Sequence, residues 1–133
     1  MEEPSPVPGR DVSAEIAPLY EQWFAAIATR DRAWFERHFA EDLRVRNVMR
    51  AQERGKEAMI ALELSIPPLA WRTLEVAATA YAEVALAHWS VLVRRADEDP
   101  SSAVQRLFAS AWRQTEGRWQ VFDHIGAADL AHD

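Results

Sequence analysis

The sequence predicts an α+β domain in which helices cover one face of a bent antiparallel sheet. Three observations carry this reading. Apolar residues recur every three to four positions before Pro67-Pro68 and mostly every second position after it. The first half holds three helix-length segments, and the second holds four strand-length segments separated by polar turns. The order is helix, helix, strand, helix and then a meander, which segregates the two element types along the chain.

The elements follow in order. Residues 1–12 contain Pro4, Pro6, Pro8 and Gly9 with few apolar side chains, and read as a flexible N-terminal arm. Ile16, Leu19, Tyr20, Trp23, Phe24 and Ile27 then form one apolar helical face. Pro18 suits a first helical turn, so a regular helix is expected from there to about Thr29. Asp31 is a good N-cap for a second short helix carrying Trp34, Phe35, His38 and Phe39. Leu43 to Met49 mostly alternates and reads as a strand. Gly55 ends that stretch, and Lys56 to about Leu64 forms a third helix that Pro67-Pro68 stops. The four later strands are expected near Trp71–Tyr81, Glu83–Arg95, Ala103–Gln114 and Arg118–Ile125. Polar residues from Asp97 to Ser102 and the short Thr115-Glu116-Gly117 make the hairpin loops. One domain over 13–127 and a C-terminal tail over 128–133 complete the organisation.

Two of these strands are apolar on both faces. Val104, Phe108 and Trp112 oppose Leu107, Ala109 and Ala111, and the Glu83–Arg95 segment behaves alike. A sheet covered on one side only should show polar residues on the other. A homodimer through the outer sheet face is therefore expected, with Leu107, Ala109, Phe122 and His124 at or near the interface.

Composition narrows the function. At 133 residues, 49% hydrophobic and 27% charged, the chain fits one soluble globular domain with its own core. A net charge of −6, with Arg94-Arg95 the only adjacent basic pair, argues against nucleic acid as a partner. The absence of cysteine excludes disulfides, thiolate nucleophiles and cysteine zinc sites. Four dispersed histidines lack a metal-binding spacing, so no metal is expected. No dinucleotide fingerprint or phosphate-binding glycine loop occurs, and no cofactor is expected. The opening Met1-Glu2-Glu3-Pro4 is unlike a signal peptide, and no apolar run could span a bilayer. The expectation is a cytoplasmic protein without a membrane partner.

Several short stretches, in this order and spacing, carry a resemblance. They are Leu19-Tyr20-Glu21-Gln22-Trp23-Phe24-Ala25-Ala26, the Asp31-to-Asp42 segment, Gly55-Lys56-Glu57, and Gly117-Arg118-Trp119 before the last strand. Over about residues 14–127 the chain resembles the nuclear transport factor 2-like superfamily, in its SnoaL-like, polyketide cyclase-type branch. It is also similar to the association domain of calcium/calmodulin-dependent kinase. The resemblance implies a cone-shaped curved sheet packed against three N-terminal helices, a cystatin-like roll with a ligand cavity at its wide end. It implies a small apolar organic ligand and, for an enzyme, cofactor-free isomerisation, cyclisation, dehydration or epoxide opening. Many relatives place histidines four and six residues after the last-strand tryptophan, where this chain has Asp123 and Ile125.

By strand alternation Trp119, Val121, Asp123 and Ile125 share one face, and the resemblance turns that face to the cavity. Asp123 would then be a desolvated acid–base group, or else a structural charge paired with an arginine such as Arg106. Tyr20 could offer a phenol to an oxyanion, as in related isomerases, or simply pack in the core. Asn47 is a polar residue on the apolar face of its strand, so it reaches the cavity or satisfies a backbone group. Ser110 sits similarly between Phe108 and Trp112, without a recognisable His and Asp to activate it. Trp23, Trp89 and Trp112 could line a pocket for a flat apolar ligand. His88 and His124 are expected on the outer surface, and His38 in helix packing. The alternative reading is a non-catalytic ligand-binding or assembly module.

Overall fold

A computed structural model describes residues 8–47 and 52–126. Residues 1–7 of the expected arm, Val48 and Met49 of the first long strand, and the tail over 128–133 lie outside the described residues. In chain order the elements are β1 (Arg10–Asp11), α1 (Ser13–Thr29), α2 (Arg32–His38), β2 (Phe39–Asn47), β3 (Gln52–Arg54) and α3 (Lys56–Ser65). They continue with β4 (Leu69–Tyr81), β5 (Val84–Arg95), β6 (Val104–Thr115) and β7 (Arg118–Gly126). Among the described residues the strands form one sheet in the order β1-β4-β5-β6-β7-β2-β3. Every neighbouring pair is antiparallel except β7 with β2, which run parallel. The sheet curls without closing, and the helices lie against its concave face. This is the α+β arrangement that the change of period predicts and the cone that the resemblance implies.

Tight turns hold the meander in register. Thr115 pairs with Arg118 across Glu116 (φ 53°) and Gly117 (φ 81°), the two consecutive left-handed residues of a type I′ hairpin. The Asp31 side chain accepts from the Trp34 amide at 3.1 Å and starts α2.

Local expectations fail in four places. The helix α1 begins at Ser13, not Pro18, because Val12 and Ile16 are buried at 1% and 0% exposure and hold the earlier turn in place. Pro18 costs one backbone bond there, and it does so on the exposed side. Arg10 and Asp11, placed in the arm by composition, pair with Ala80 and Thr79, and the Val12 amide donates to the Ala78 carbonyl at 3.0 Å. Phe39 belongs to β2 rather than α2, and its fully buried ring packs at 5.1 Å from Trp23.

A fourth departure lies in β7. Trp112 pairs with Val121, but the next residue back, Ala111, pairs with Asp123. Phe122 is thus an extra residue, a β-bulge that shifts the side-chain alternation by one. Before it Trp119 and Val121 point inward. After it His124 points inward, at 4% exposure, and Asp123 and Ile125 turn to the convex face.

Candidate functional site

The core is dense at one end of the cone and open at the other. Trp112, Tyr20, Phe35, Phe39 and Val121 fill the closed end, all essentially inaccessible. Toward the open end a cavity of about 410 Å³ lies between α1, α3 and the concave sheet face. Such a volume suits a small organic molecule. Its apolar wall is Trp23, Phe24, Trp89 and Phe108, with Met59 and Ile66 from the α3 side. Trp89 stacks on Tyr20 at 4.3 Å and lies 5.4 Å from Phe108, so the wall is braced by ring contacts from behind.

Two titratable groups enter this apolar space. The helix α3 buries Lys56, Met59, Ile60 and Glu63, one face at i, i+3, i+4 and i+7. The Lys56 ammonium leaves the interior to meet the Glu41 carboxylate at 2.7 Å. Glu63 has no such escape. It is 5% exposed, and its Oε2 has no hydrogen-bond partner among the described residues. Burial pushes its carboxyl up to about 7, with the Trp23 indole N–H pulling more weakly the other way.

His124 is the second group. Burial pushes its imidazole down to about 4, against a smaller opposing effect of the Asp123 charge, so it is neutral at physiological pH. Its ring lies 4.8 Å from Trp23 and stacks on Phe108 at 5.2 Å. Trp23 therefore touches both titratable groups. Behind His124, Nδ1 is 2.7 Å from the Ser110 hydroxyl, Ser110 interacts with the Tyr20 hydroxyl, and Tyr20 accepts from Trp112 Nε1 at 3.3 Å. Burial is the main reason the Tyr20 phenol is raised to about 12, so it stays protonated. The indole can only donate, so Tyr20 passes its own hydrogen to Ser110, and Ser110 donates to His124 Nδ1. The reverse order would leave the Tyr20 hydrogen without an acceptor among the described residues. Satisfaction of the chain thus assigns the proton of His124 to Nε2.

The structure places the sequence candidates unevenly. Trp23, Asn47 and Trp89 line the cavity, while Tyr20, Ser110 and Trp112 stand behind it in the hydrogen-bonded chain. Ser110 does have a histidine partner, contrary to expectation, but its buried hydroxyl is not part of the cavity wall. Asp123 is on the convex face. Both its carboxylate oxygens lie 2.8 Å from one Arg46 nitrogen, so the pairing arginine is Arg46 and not Arg106. His124, expected outside at a dimer interface, is the cavity residue instead. The Phe122 bulge explains both exchanges. His88 does lie exposed on the outer face, 3.4 Å from Glu75, and His38 packs on Trp34 as a helix residue.

Glu63 escaped the sequence reading altogether. Its signal was present in the position of a carboxylate on the stripe Met59-Ile60-Glu63, where an aliphatic residue would continue the face.

No protein-family model matches the chain, and no curated protein matches it. Solved structures do. A nuclear transport factor 2-like protein of unknown function from Pseudomonas putida KT2440 aligns with a TM-score of 0.71 at 25% identity, covering 90% of this chain and 89% of that one. The association domain of the C. elegans kinase CaMKII aligns at 0.72 and 11% identity, covering 86% and 94%. A candidate ketosteroid isomerase from Parabacteroides distasonis ATCC 8503 aligns at 0.71 and 12% identity, covering 92% and 91%. The neighbours support a nuclear transport factor 2-like fold. Among the described residues no cluster of metal-ligating side chains occurs, and no helix is long and apolar enough to cross a membrane.

Proposed function

We propose that the cavity binds a small, largely apolar carbonyl compound and moves a proton next to the carbonyl without a cofactor. The observation that carries this reading is Glu63, a buried carboxyl with a pKa about 7 in an aromatic cavity whose lining also holds a neutral imidazole. A base that titrates near the working pH combines a useful fraction of carboxylate with a useful proton affinity. The Glu63 carboxylate takes the α-proton and becomes the acid, and the electron pair of the C–H bond forms an enolate. The His124 Nε2–H donates to the enolate oxygen. Being neutral, the imidazole stabilises that charge by a hydrogen bond rather than by giving up its proton. Return of the proton from Glu63 to the same or a conjugated carbon completes exchange or isomerisation. Ser110, Tyr20 and Trp112 position His124 and hold its tautomer. Asn47 is placed to orient the ligand, and the tryptophans keep out water. A SnoaL-like cyclase or dehydratase would use the same first step.

Deuterium incorporation into 2-tetralone in D₂O, followed by proton NMR, tests this directly. The native protein accelerates exchange, Glu63→Gln abolishes the acceleration, and His124→Ala reduces it. Exchange unaffected by Glu63→Gln removes the acid–base role.

A second reading concerns assembly, and exposed leucines favour it. Leu86 and Leu107, on the two central strands of the meander, are 56% and 40% exposed on the convex face, beside Ala109 and Ala111. A second copy of the chain covering this face forms a homodimer that leaves both cavities open. Sedimentation at micromolar concentration reads it out, and a stable monomer contradicts it.

A further inference from the structure

The charge of the cavity opposes that of the protein. The whole chain carries −6, yet Arg54 and Arg106 border the cavity against a single carboxylate, Glu63. Arg46 reaches the rim as well, but its charge is engaged by Asp123 on the convex side. Arg54 is different. It is half-buried, and it makes no hydrogen bond or ion pair among the described residues. A long cation loses conformational entropy when held at a cavity wall. Nothing in the described fold compensates Arg54 for that.

Its position relative to the proposed chemistry follows from strand register. Arg54 pairs with Val45, Val45 with His124, and His124 with Ser110. Directly paired residues on neighbouring strands share a face, so these four form one row across the concave side. Arg54 stands two strands from His124, about 10 Å between backbones at the usual strand spacing. A guanidinium there reaches a ligand whose reacting carbon lies at His124 and Glu63 and whose far end lies toward the edge strand β3. Phe108 and Trp89 supply the apolar floor beside that row, where Gly126 pairs with Phe108 and adds no side chain.

We infer that the ligand is a small organic carboxylate, its apolar body against Trp23, Trp89 and Phe108 and its carboxylate on the Arg54 guanidinium. Arginine presents a planar fork of donors that matches a carboxylate, and a low-dielectric wall strengthens the pairing. Arg54 is a ligand-anchoring residue and takes no proton. This inference rests on the cavity being the ligand site but not on Glu63 being the base.

Calorimetric titration of the full chain with 2-naphthoate and with 2-naphthamide tests it, because the two probes share rings and shape and differ in charge. The native protein binds 2-naphthoate at least tenfold tighter. Arg54→Gln removes at least fivefold of that preference, leaves 2-naphthamide unchanged, and leaves the thermal midpoint unchanged because Arg54 has no partner to lose. Raising salt narrows the gap between the probes in the native protein only. Equal or tighter binding of the amide overturns the anion site and leaves the ligand cavity standing, as does 2-naphthoate binding that ignores Arg54→Gln. Failure of both probes to bind overturns the cavity reading together with this one. If Glu63→Gln leaves proton exchange intact while the preference for 2-naphthoate holds, the chemistry falls and the anion site stands.

Discussion

The two faces of the sheet treat their polar groups in opposite ways. On the convex face Asp123 meets Arg46 and Arg44 meets Glu53 at 2.8 Å, with side chains a third to a half exposed. Water screens these pairs, and each contributes no more than about 1 kcal/mol. On the concave face Glu63 and His124 are buried and shifted toward neutrality, and Glu63 Oε2 lacks a hydrogen-bond partner among the described residues. Moving a carboxyl from 4.5 to about 7 costs roughly 3 kcal/mol of stability at alkaline pH. A leucine at position 63 would avoid that cost. The convex charges are paired, although Arg46 Nε is buried without a hydrogen bond among the described residues, whereas the Glu63 carboxyl has no ion-pair partner among them. That burial of an ionisable group in a cavity is the ground on which the proposed function rests.

Five substitutions or titrations probe that contrast, beginning with the largest effect. Glu63→Gln should slow exchange of 2-tetralone on the order of 10²–10⁴-fold, in the range for a positioned acid–base group. The native rate should rise with pH along a single limb near 7 and show no second limb from His124 above pH 5. On the opposite face Leu107→Glu should leave exchange intact but weaken dimerisation by roughly 3 kcal/mol, about a hundredfold, through an unpaired interfacial charge. Sedimentation equilibrium measures it.

Stability against pH sharpens the comparison further. The folded pKa of Glu63 is raised, so its contribution is present below 4.5 and lost as pH rises through about 7. The folded pKa of His124 is depressed, so its contribution is present above 6.5 and lost as pH falls through about 4. Between pH 4.5 and 6.5 the two slopes oppose and nearly cancel. Glu63→Gln should therefore raise stability at pH 8 by about 2–3 kcal/mol and leave a profile that climbs from pH 4.5 to 6.5, read by urea unfolding. The smallest effect belongs to Asp123→Asn, which should change stability by under about 1 kcal/mol and leave ligand binding and exchange unaltered. A large loss of exchange in that variant would reverse the assignment of the faces.

The sheet, the helices and their order were legible because period and turn chemistry agree over long segments. Most of the six tryptophans were legible as core for the same reason, and Trp23 and Trp89 line the cavity as expected while Trp112 does not. Short elements such as β1 and β3 carry too few side chains to show a period, and tertiary pairing alone orders them. The site reading failed at two residues, Phe122 and Glu63. Alternation assigns faces only while a strand is unbroken, and nothing in Trp119-Gln120-Val121-Phe122-Asp123-His124 marks Phe122 as the bulge. That single insertion exchanged Asp123 for His124. Glu63 was missed for a different reason, since an acidic residue at the end of a short helix is ordinarily a solvated one. Only the packing of α3 on the sheet buries it.

The most direct measurement is the titration of Glu63 itself, by carbon-detected NMR of the protein labelled at glutamate side-chain carboxyls. The account predicts one glutamate resonance with a midpoint near 7 that disappears in Glu63→Gln, while Asp123→Asn leaves it in place. If every glutamate titrates below pH 5, Glu63 is an ordinary carboxylate and the concave face holds no poised acid–base group.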